Sequence, residues 1–118
     1  MNFKFSSDFD YECMPEGFYD MDDGKFLTFL DKHKDDIKKL NDNTYLVFIR
    51  EDTAFTFTVN DNDEIVNMYE LTYRPKDYRF NDGLLLIIDD AYQSYYNRAT
   101  LYRVTSDKVE RLMEVDGE

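Results

Sequence analysis

The sequence predicts an α+β domain, built from a mostly antiparallel β-sheet of about six to seven strands with one amphipathic helix packed on one face. Only one segment, at about residues 23–40, repeats its apolar residues at helical spacing. Most of the remaining chain is rich in β-branched and aromatic residues, and much of it alternates between apolar and polar. The length of 118 residues is typical of one domain, which would span residues 1–118.

The N-terminal segment has the pattern of one strand or of a bent pair of strands. Residues 3–13 alternate between apolar and polar side chains, which is typical of a strand with one buried face. The aromatic positions of this segment are Phe3, Phe5, Phe9 and Tyr11. Pro15 and Gly17 then interrupt the pattern, so the stretch up to Gly24 is expected to be an acidic loop.

The helix is expected to begin after Asp22 or Asp23, because an aspartate carboxylate can cap the first free N–H groups. Lys38 and Lys39 near its end suit the negative end of the helix dipole. The residues that recur at three- and four-residue steps are Phe26, Leu27, Phe29, Leu30, His33, Ile37 and Leu40.

Two strands with a short turn between them follow the helix. Residues 44–50 and 53–60 are expected to form a hairpin around Glu51 and Asp52. Residues 64–73 are expected to form a third strand, with a helix as the alternative for residues 64–71.

The C-terminal third also reads as strands. Asn81, Asp82 and Gly83 predict a tight turn before the apolar run 84–89, which is expected to be a central strand covered on both faces. Residues 100–105 and 109–115 are expected to form a terminal hairpin.

The charge of the chain narrows its possible partners. With 14 Lys and Arg against 26 Asp and Glu, the net charge is −12, and this charge repels nucleic acid and anionic membranes but attracts basic protein surfaces. Disorder is not expected, because 17% of the residues are aromatic. One cysteine and no long apolar segment indicate a cytoplasmic protein.

No catalytic or metal-binding motif stands out, so we expect no enzyme, no cofactor and no metal. Residues 20–31 have the acidic character of a calcium loop, but Gly24 stands fifth instead of sixth. A small metal-dependent enzyme using Asp89, Asp90 or His33 is an alternative.

The acidic residues are concentrated in two zones. Residues 1–23 carry seven acids against one lysine, and residues 41–72 carry seven against one arginine, which is −6 in each case. Asp8, Asp10 and Glu12 lie two apart in the predicted strand, so their side chains would share one face at steps of roughly 6.7 Å. Such steps are similar to the spacing of DNA phosphates. A solvated strand that resists aggregation is the plainer interpretation of any single row.

Aromatic side chains in predicted loops or at edges favour an interface, because tyrosine is common at binding hot spots. They include Phe18, Tyr19, Tyr78, Tyr92, Tyr95 and Tyr96. We therefore expect the protein to bind a basic partner through the carboxylates and two tyrosines. The candidate partner-binding residues are Asp8, Asp10, Glu12, Asp20, Asp22, Asp23, Asp61, Asp63, Glu64, Tyr95 and Tyr96. An edge strand near the N-terminus also allows a homodimer.

In composition, and in its acidic rows at residues 8–12 and 61–64, the chain resembles phage-encoded inhibitors that mimic DNA, including anti-CRISPR and anti-restriction proteins. The resemblance implies a non-enzymatic inhibitor that occupies the nucleic-acid-binding groove of a host defence nuclease in the host cytoplasm. Toxin-neutralising immunity proteins share the same composition, so an immunity-type or other acidic protein-binding module is the alternative.

Overall fold

The computed structural model describes residues 2–90 and 97–116, and within these ranges the chain forms nine strands and one α-helix. Tyr92, Tyr95 and Tyr96 lie outside the described residues. In chain order the elements are β1 (Lys4–Phe5), a 3-10 turn (Tyr11–Cys13), α1 (Asp23–Lys32), a second 3-10 turn (Lys34–Asp36), β2 (Ile37–Lys39), β3 (Thr44–Ile49), β4 (Thr53–Val59), β5 (Glu64–Thr72), β6 (Pro75–Asn81), β7 (Leu84–Asp89), β8 (Arg98–Val104) and β9 (Val109–Asp116).

The strands form two sheets instead of the one that the sequence predicts. The first sheet has five strands in the order β1-β5-β4-β3-β2, and the second has four in the order β6-β7-β8-β9. Neighbouring strands are antiparallel, apart from the parallel pair β1 and β5. The prediction of six to seven strands is too low because it lacks β2 and β6. Strand β6 begins at Pro75 and forms an edge of its sheet. Proline is tolerated there because an edge strand does not need every N–H to bond to a neighbouring strand.

The five-stranded sheet is the middle of three layers. Val47, Phe55 and Phe57 point from one of its faces into a core that is closed by Phe26 and Leu30 of α1. The opposite face meets the four-stranded sheet in a second core, whose buried members are Leu46, Leu85, Ile87, Tyr102 and Val104. The helix therefore packs on one face of a sheet, as predicted, and the second sheet covers the other face.

The prediction that β7 is covered on both faces is wrong, although its central position between β6 and β8 is confirmed. Its residues alternate between buried and more exposed, so only the face that carries Leu85 and Ile87 is fully covered. Strand β4 is covered on both faces: Phe55 is 0% exposed towards α1, and Thr56 is 1% exposed towards the second sheet. The sequence does not predict that both faces of β4 are covered, because threonine is more often found facing solvent.

The predicted helix over residues 23–40 is too long, because α1 ends at Lys32. The His33 N–H donates to the carbonyls of Phe29 and Leu30 and closes the helix. Ile37 then pairs with Val47 in the sheet, while Leu40 reaches the core between the two sheets. Ile37 and Leu40 therefore bury their side chains on opposite faces of a sheet, a result that a continuing helix would not allow.

The predicted strand over residues 3–13 contains only Lys4 and Phe5 as strand residues. The chain turns after Ser6, where its carbonyl accepts from the Phe9 N–H and its hydroxyl from the Asp8 N–H. Asp8 lies in this turn and Glu12 in the 3-10 turn that follows. The expectation that Asp8, Asp10 and Glu12 form one row along a strand is therefore wrong.

Lys38 and Lys39, which are expected near the end of the helix, lie in β2 instead. Several other local predictions are confirmed. Strands β3 and β4 form the expected hairpin, and residues 64–71 are strand and not helix. The turn at Asp82 and Gly83 has positive φ at both residues, as a tight hairpin turn requires. Strands β8 and β9 form the expected C-terminal hairpin.

Candidate partner-binding surface

The N-terminal segment lies along β5, and this contact joins the two acidic zones of the sequence. Lys4 pairs with Glu64, and the Ser6 N–H donates to the Ile65 carbonyl at 2.9 Å. Further along, the Glu16 N–H donates to a carboxylate oxygen of Glu70 at 2.8 Å. Zones that are about 50 residues apart in sequence thus become neighbours at one edge of the five-stranded sheet.

We call eleven of the fourteen carboxylates in these two zones the acidic surface, which leaves out Asp42, Glu51 and Asp52 in the turns on either side of β3. All eleven are exposed except Glu64, which is half-buried. The acidic surface consists of Asp8, Asp10, Glu12, Glu16, Asp20, Asp22, Asp23, Asp61, Asp63, Glu64 and Glu70. It includes every carboxylate that the sequence analysis proposes for partner binding.

The acidic surface is not neutralised by the protein's own cations. Within the described residues, none of its carboxylates lies within 4.0 Å of a lysine or arginine nitrogen. The lysine and arginine pairs that do form use residues 74–114 together with Glu51. Positive and negative charge thus largely cancel around the second sheet, and the acidic surface keeps its full negative potential.

Five carboxylates of the acidic surface also stabilise the local fold, and one of them is Glu70, which accepts from the Glu16 N–H. Asp22 caps α1 by accepting from the Lys25 N–H at 2.8 Å, and Asp10 caps the first 3-10 turn by accepting from the Glu12 N–H at 3.0 Å. Asp23 accepts from the Tyr11 hydroxyl, and Glu64 accepts from the Asn60 side-chain amide, both at 2.9 Å. Substitution at these positions would change the fold as well as the charge.

The remaining predicted carboxylates are charged but do not stabilise the local fold through hydrogen bonds. In the part of the chain that the structure describes, the side chains of Asp8, Glu12, Asp20 and Asp61 make no hydrogen bond. Asp63 has a positive φ of 59°, a conformation that aspartate tolerates better than most residues. Asp8, Glu12, Asp20 and Asp61 are therefore the positions where charge can be changed with the least effect on folding.

Exposed tyrosines border the acidic surface. Tyr11, Tyr19 and Tyr73 are 51%, 63% and 53% exposed. The hydrogen bond to Asp23, with a smaller effect from burial, raises the pKa of Tyr11 above its ordinary value. The Tyr11 hydroxyl therefore stays protonated and donates to Asp23. Its ring packs against Phe5 and Phe9 on one side and is exposed on the other.

An open cleft separates Tyr73 from the acidic turn around Glu16. Its volume is about 510 Å³, and its lining residues are Glu16, Gly17, Phe18, Asp52, Thr53 and Tyr73. Two carboxylates and two aromatic rings line this space, which is a suitable environment for a basic side chain.

Tyr11 and Tyr73 are interface candidates that the sequence does not predict. Tyr11 reads as a core position of the predicted N-terminal strand, and Tyr73 as the last residue of the third strand. Phe18 and Tyr78 show the opposite error. Both are expected in loops or at edges, but Phe18 packs against Phe26, and Tyr78 packs against Phe48. Only the exposure of each ring in the folded chain distinguishes the two groups.

The acids that the enzyme alternative requires have other partners. Asp89 is 3% exposed, and its carboxylate accepts from Arg98 at 3.0 and 2.6 Å and from the Thr72 hydroxyl at 2.6 Å. Asp90 lies 3.8 Å from Arg74. His33 Nδ1 lies 3.2 Å from an Asp36 carboxylate oxygen. Among the described residues, no group of three potential ligands could hold a metal ion.

The comparisons with known proteins do not assign the chain to a family. No family model matches it, and searches of curated proteins and of solved structures found no match. Within residues 2–90 and 97–116, no helix has the length and apolar character needed to cross a membrane.

Proposed function

We propose that the protein is a non-enzymatic inhibitor that binds the basic nucleic-acid-binding groove of a host defence nuclease. The observation that supports this function is the acidic surface, whose carboxylates have no lysine or arginine partner within the described chain. A groove that binds DNA phosphates presents lysine and arginine side chains, and the acidic surface is their electrostatic complement.

The proposed inhibitor competes with DNA through charge density. The regular strand row that would copy the phosphate spacing is absent, because Asp8 and Glu12 lie in turns. Long-range attraction by a charge of −12 speeds encounter with a basic surface and weakens as salt is added. Tyr11, Tyr19 and Tyr73 then supply contact area that keeps the complex together. The proposed site of action is the cytoplasm of the host cell.

The test is capture of the partner followed by competition. The protein is immobilised and exposed to a bacterial lysate at low salt, and duplex DNA is then added to the captured complex. We expect a basic nuclease to be retained, released by moderate salt and displaced by the DNA. The released nuclease should cut DNA, and the free inhibitor should slow this cutting.

A matched pair of variants tests which surface is responsible. The first variant changes Asp8, Glu12 and Asp20 to lysine, and the control changes Asp31, Asp35 and Asp107, which lie outside the acidic surface, to lysine. Both variants change the net charge from −12 to −6, because each substitution adds two positive units. The inhibition constant of the first variant should rise at least tenfold more than that of the control variant. Equal losses would contradict a localised site and leave only a non-specific charge effect.

The exposed tyrosines favour an immunity-type module as the second candidate function. Such a module would hold its partner mainly by packing, so duplex DNA would not displace it. Tyr19→Ala would then weaken binding more than the triple lysine variant. The same comparison at Tyr95 and Tyr96, which the sequence analysis proposes as anchors, would extend the test beyond the described residues.

A further inference from the structure

The outer face of the four-stranded sheet is apolar and lies on the side of the molecule away from α1. Strand β7 points Leu85 and Ile87 inwards, so Leu84, Leu86 and Ile88 point outwards. Cross-strand pairing places further apolar residues in the same rows. We call this patch the outer apolar face, and its members are Leu84, Leu86, Ile88, Ala99, Leu101, Met113 and Val115.

Several of these side chains are well exposed. Leu84 is 38%, Met113 54% and Val115 53% exposed. A contiguous apolar patch on a strongly charged protein indicates a contact surface, because single exposed apolar residues are common but clustered ones are not.

The charges around the outer apolar face select its partner. The pairing register places Asp77 and Arg79 beside it on β6, and Arg103 and Glu110 at one end. Two positive and two negative charges give this side no net charge, so it attracts neither a basic protein nor an anionic one. A second copy presents the same apolar patch and the same balanced charges, so two such faces can meet without net repulsion, as a two-fold symmetric contact requires.

The position of the outer apolar face also suits a second copy. The five-stranded sheet separates it from α1 and from the core that the acidic N-terminal segment helps to close. Two copies stacked through the outer apolar faces would hold their acidic surfaces at opposite ends, where repulsion between them is weakest. Edge-to-edge pairing through β9 is less suitable, because the strand carries Glu110, Arg111, Glu114 and Asp116 and has a bulge between its pairs with Leu101 and Tyr102.

The size of the patch indicates a weak dimer. The three strands β7 to β9 at about 4.8 Å spacing and about six residues at about 3.3 Å rise give a footprint of roughly 285 Å² on each copy. The two footprints together amount to roughly 570 Å² before side-chain relief is added, which is below the area of a stable complex and at the low end of transient ones.

We propose that the outer apolar face is the interface of a weak, two-fold symmetric homodimer. This interface replaces the N-terminal edge strand as the site of self-association, since β1 has only two residues. The proposal does not depend on the identity of the basic partner, because the acidic surface stays open in the dimer.

The test is sedimentation of the full chain over a concentration series that reaches about 1 mM, because a weak interface forms only at high concentration. The weight-average mass of the wild type should rise above the monomer mass of 14.2 kDa. The rise should persist at high salt, which weakens repulsion between acidic copies. A wild type that stays monomeric over the whole series would overturn the proposal.

A pair of lysine variants removes the ambiguity of net charge. Leu84→Lys/Met113→Lys changes the net charge from −12 to −10, so reduced repulsion alone would favour association. The proposed interface predicts the opposite: the dimer dissociation constant should rise at least tenfold. Val66→Lys, an exposed apolar position of the other sheet, is the control and should dimerise like the wild type.

An NMR dilution series provides a second measurement that does not depend on the variants. Amide shifts of β7 to β9 should change with concentration, and those of the acidic surface should not. Concentration-dependent shifts that are confined to the acidic surface would refute the interface. A folded Leu84→Lys/Met113→Lys variant that dimerises as strongly as the wild type would refute it as well.

Discussion

Replacement of Arg98 by methionine should destabilise the protein because it leaves the carboxylate of Asp89 buried without its main cation. Asp89 is 3% exposed, and Arg98 holds it with two hydrogen bonds across the pair β7 and β8. After the substitution, the Thr72 hydroxyl at 2.6 Å is the remaining donor to this carboxylate among the described side chains. A buried charge that loses its partner is a severe local defect.

The size of the effect follows from burial. Breaking a fully buried ion pair costs about 3 to 5 kcal/mol, but the Arg98 side chain is 21% exposed and also lies 3.7 Å from Glu114. We therefore expect a loss of about 2 to 3 kcal/mol in the free energy of unfolding. Asp89→Asn should cost about 2 kcal/mol, since the amide keeps the shape and one acceptor.

Urea denaturation of the wild type, both single variants and the double variant measures these values. The double variant should lose less than the sum of the single losses, because each single variant already breaks the same pair. A loss below about 0.5 kcal/mol for Arg98→Met, or additive losses, would refute the reasoning that Arg98 compensates the buried charge of Asp89.

Three further predictions concern single residues of the cores and the helix. Burial, with a smaller effect from Tyr69, raises the pKa of Tyr102 to about 12. As the pH rises above 10, this tyrosine therefore ionises in the unfolded chain before it does in the folded one. The free energy of unfolding should fall by at most about 2 kcal/mol between pH 10 and pH 12. Urea denaturation across that range should show a smaller fall for Tyr102→Phe, and an identical fall would contradict the assignment. Burial also raises the pKa of the Cys13 thiol, so a thiol reagent at neutral pH should label the native protein much more slowly than the unfolded chain; equal rates would disprove this. Asp22→Ala removes the cap of α1 and should cost about 1 kcal/mol in thermal unfolding, with Asp20→Ala as the neutral control.

Much of the strand pattern could be predicted because it depends on neighbouring residues. The alternation of Phe55 and Phe57 with threonine predicts β4, and Asp82 with Gly83 predicts the turn before β7. The end of α1 could not be predicted in the same way. Ile37 continues the helical spacing, and only its ladder with β3 makes the strand the better solution.

The candidate site shows the same division. The sequence identifies the acidic residues and their two zones, because charge is a property of composition. It does not reveal that the Glu16 backbone meets the Glu70 carboxylate, or that Tyr73 is open while Phe18 is buried. The predicted row of Asp8, Asp10 and Glu12 fails because the hydrogen bonds of Ser6 turn the chain out of the strand.

By itself the sequence determined the net charge of −12, the mostly antiparallel hairpins and the presence of one helix, because these depend on composition and on contacts between near neighbours. The tertiary structure alone decided that the strands divide into two sheets, that the two acidic zones join along β5, and that Asp89 of one sheet accepts a hydrogen bond from Thr72 of the other. These features require residues distant in the chain to be brought together, and burial of both faces of the five-stranded sheet is the physical cause that does so.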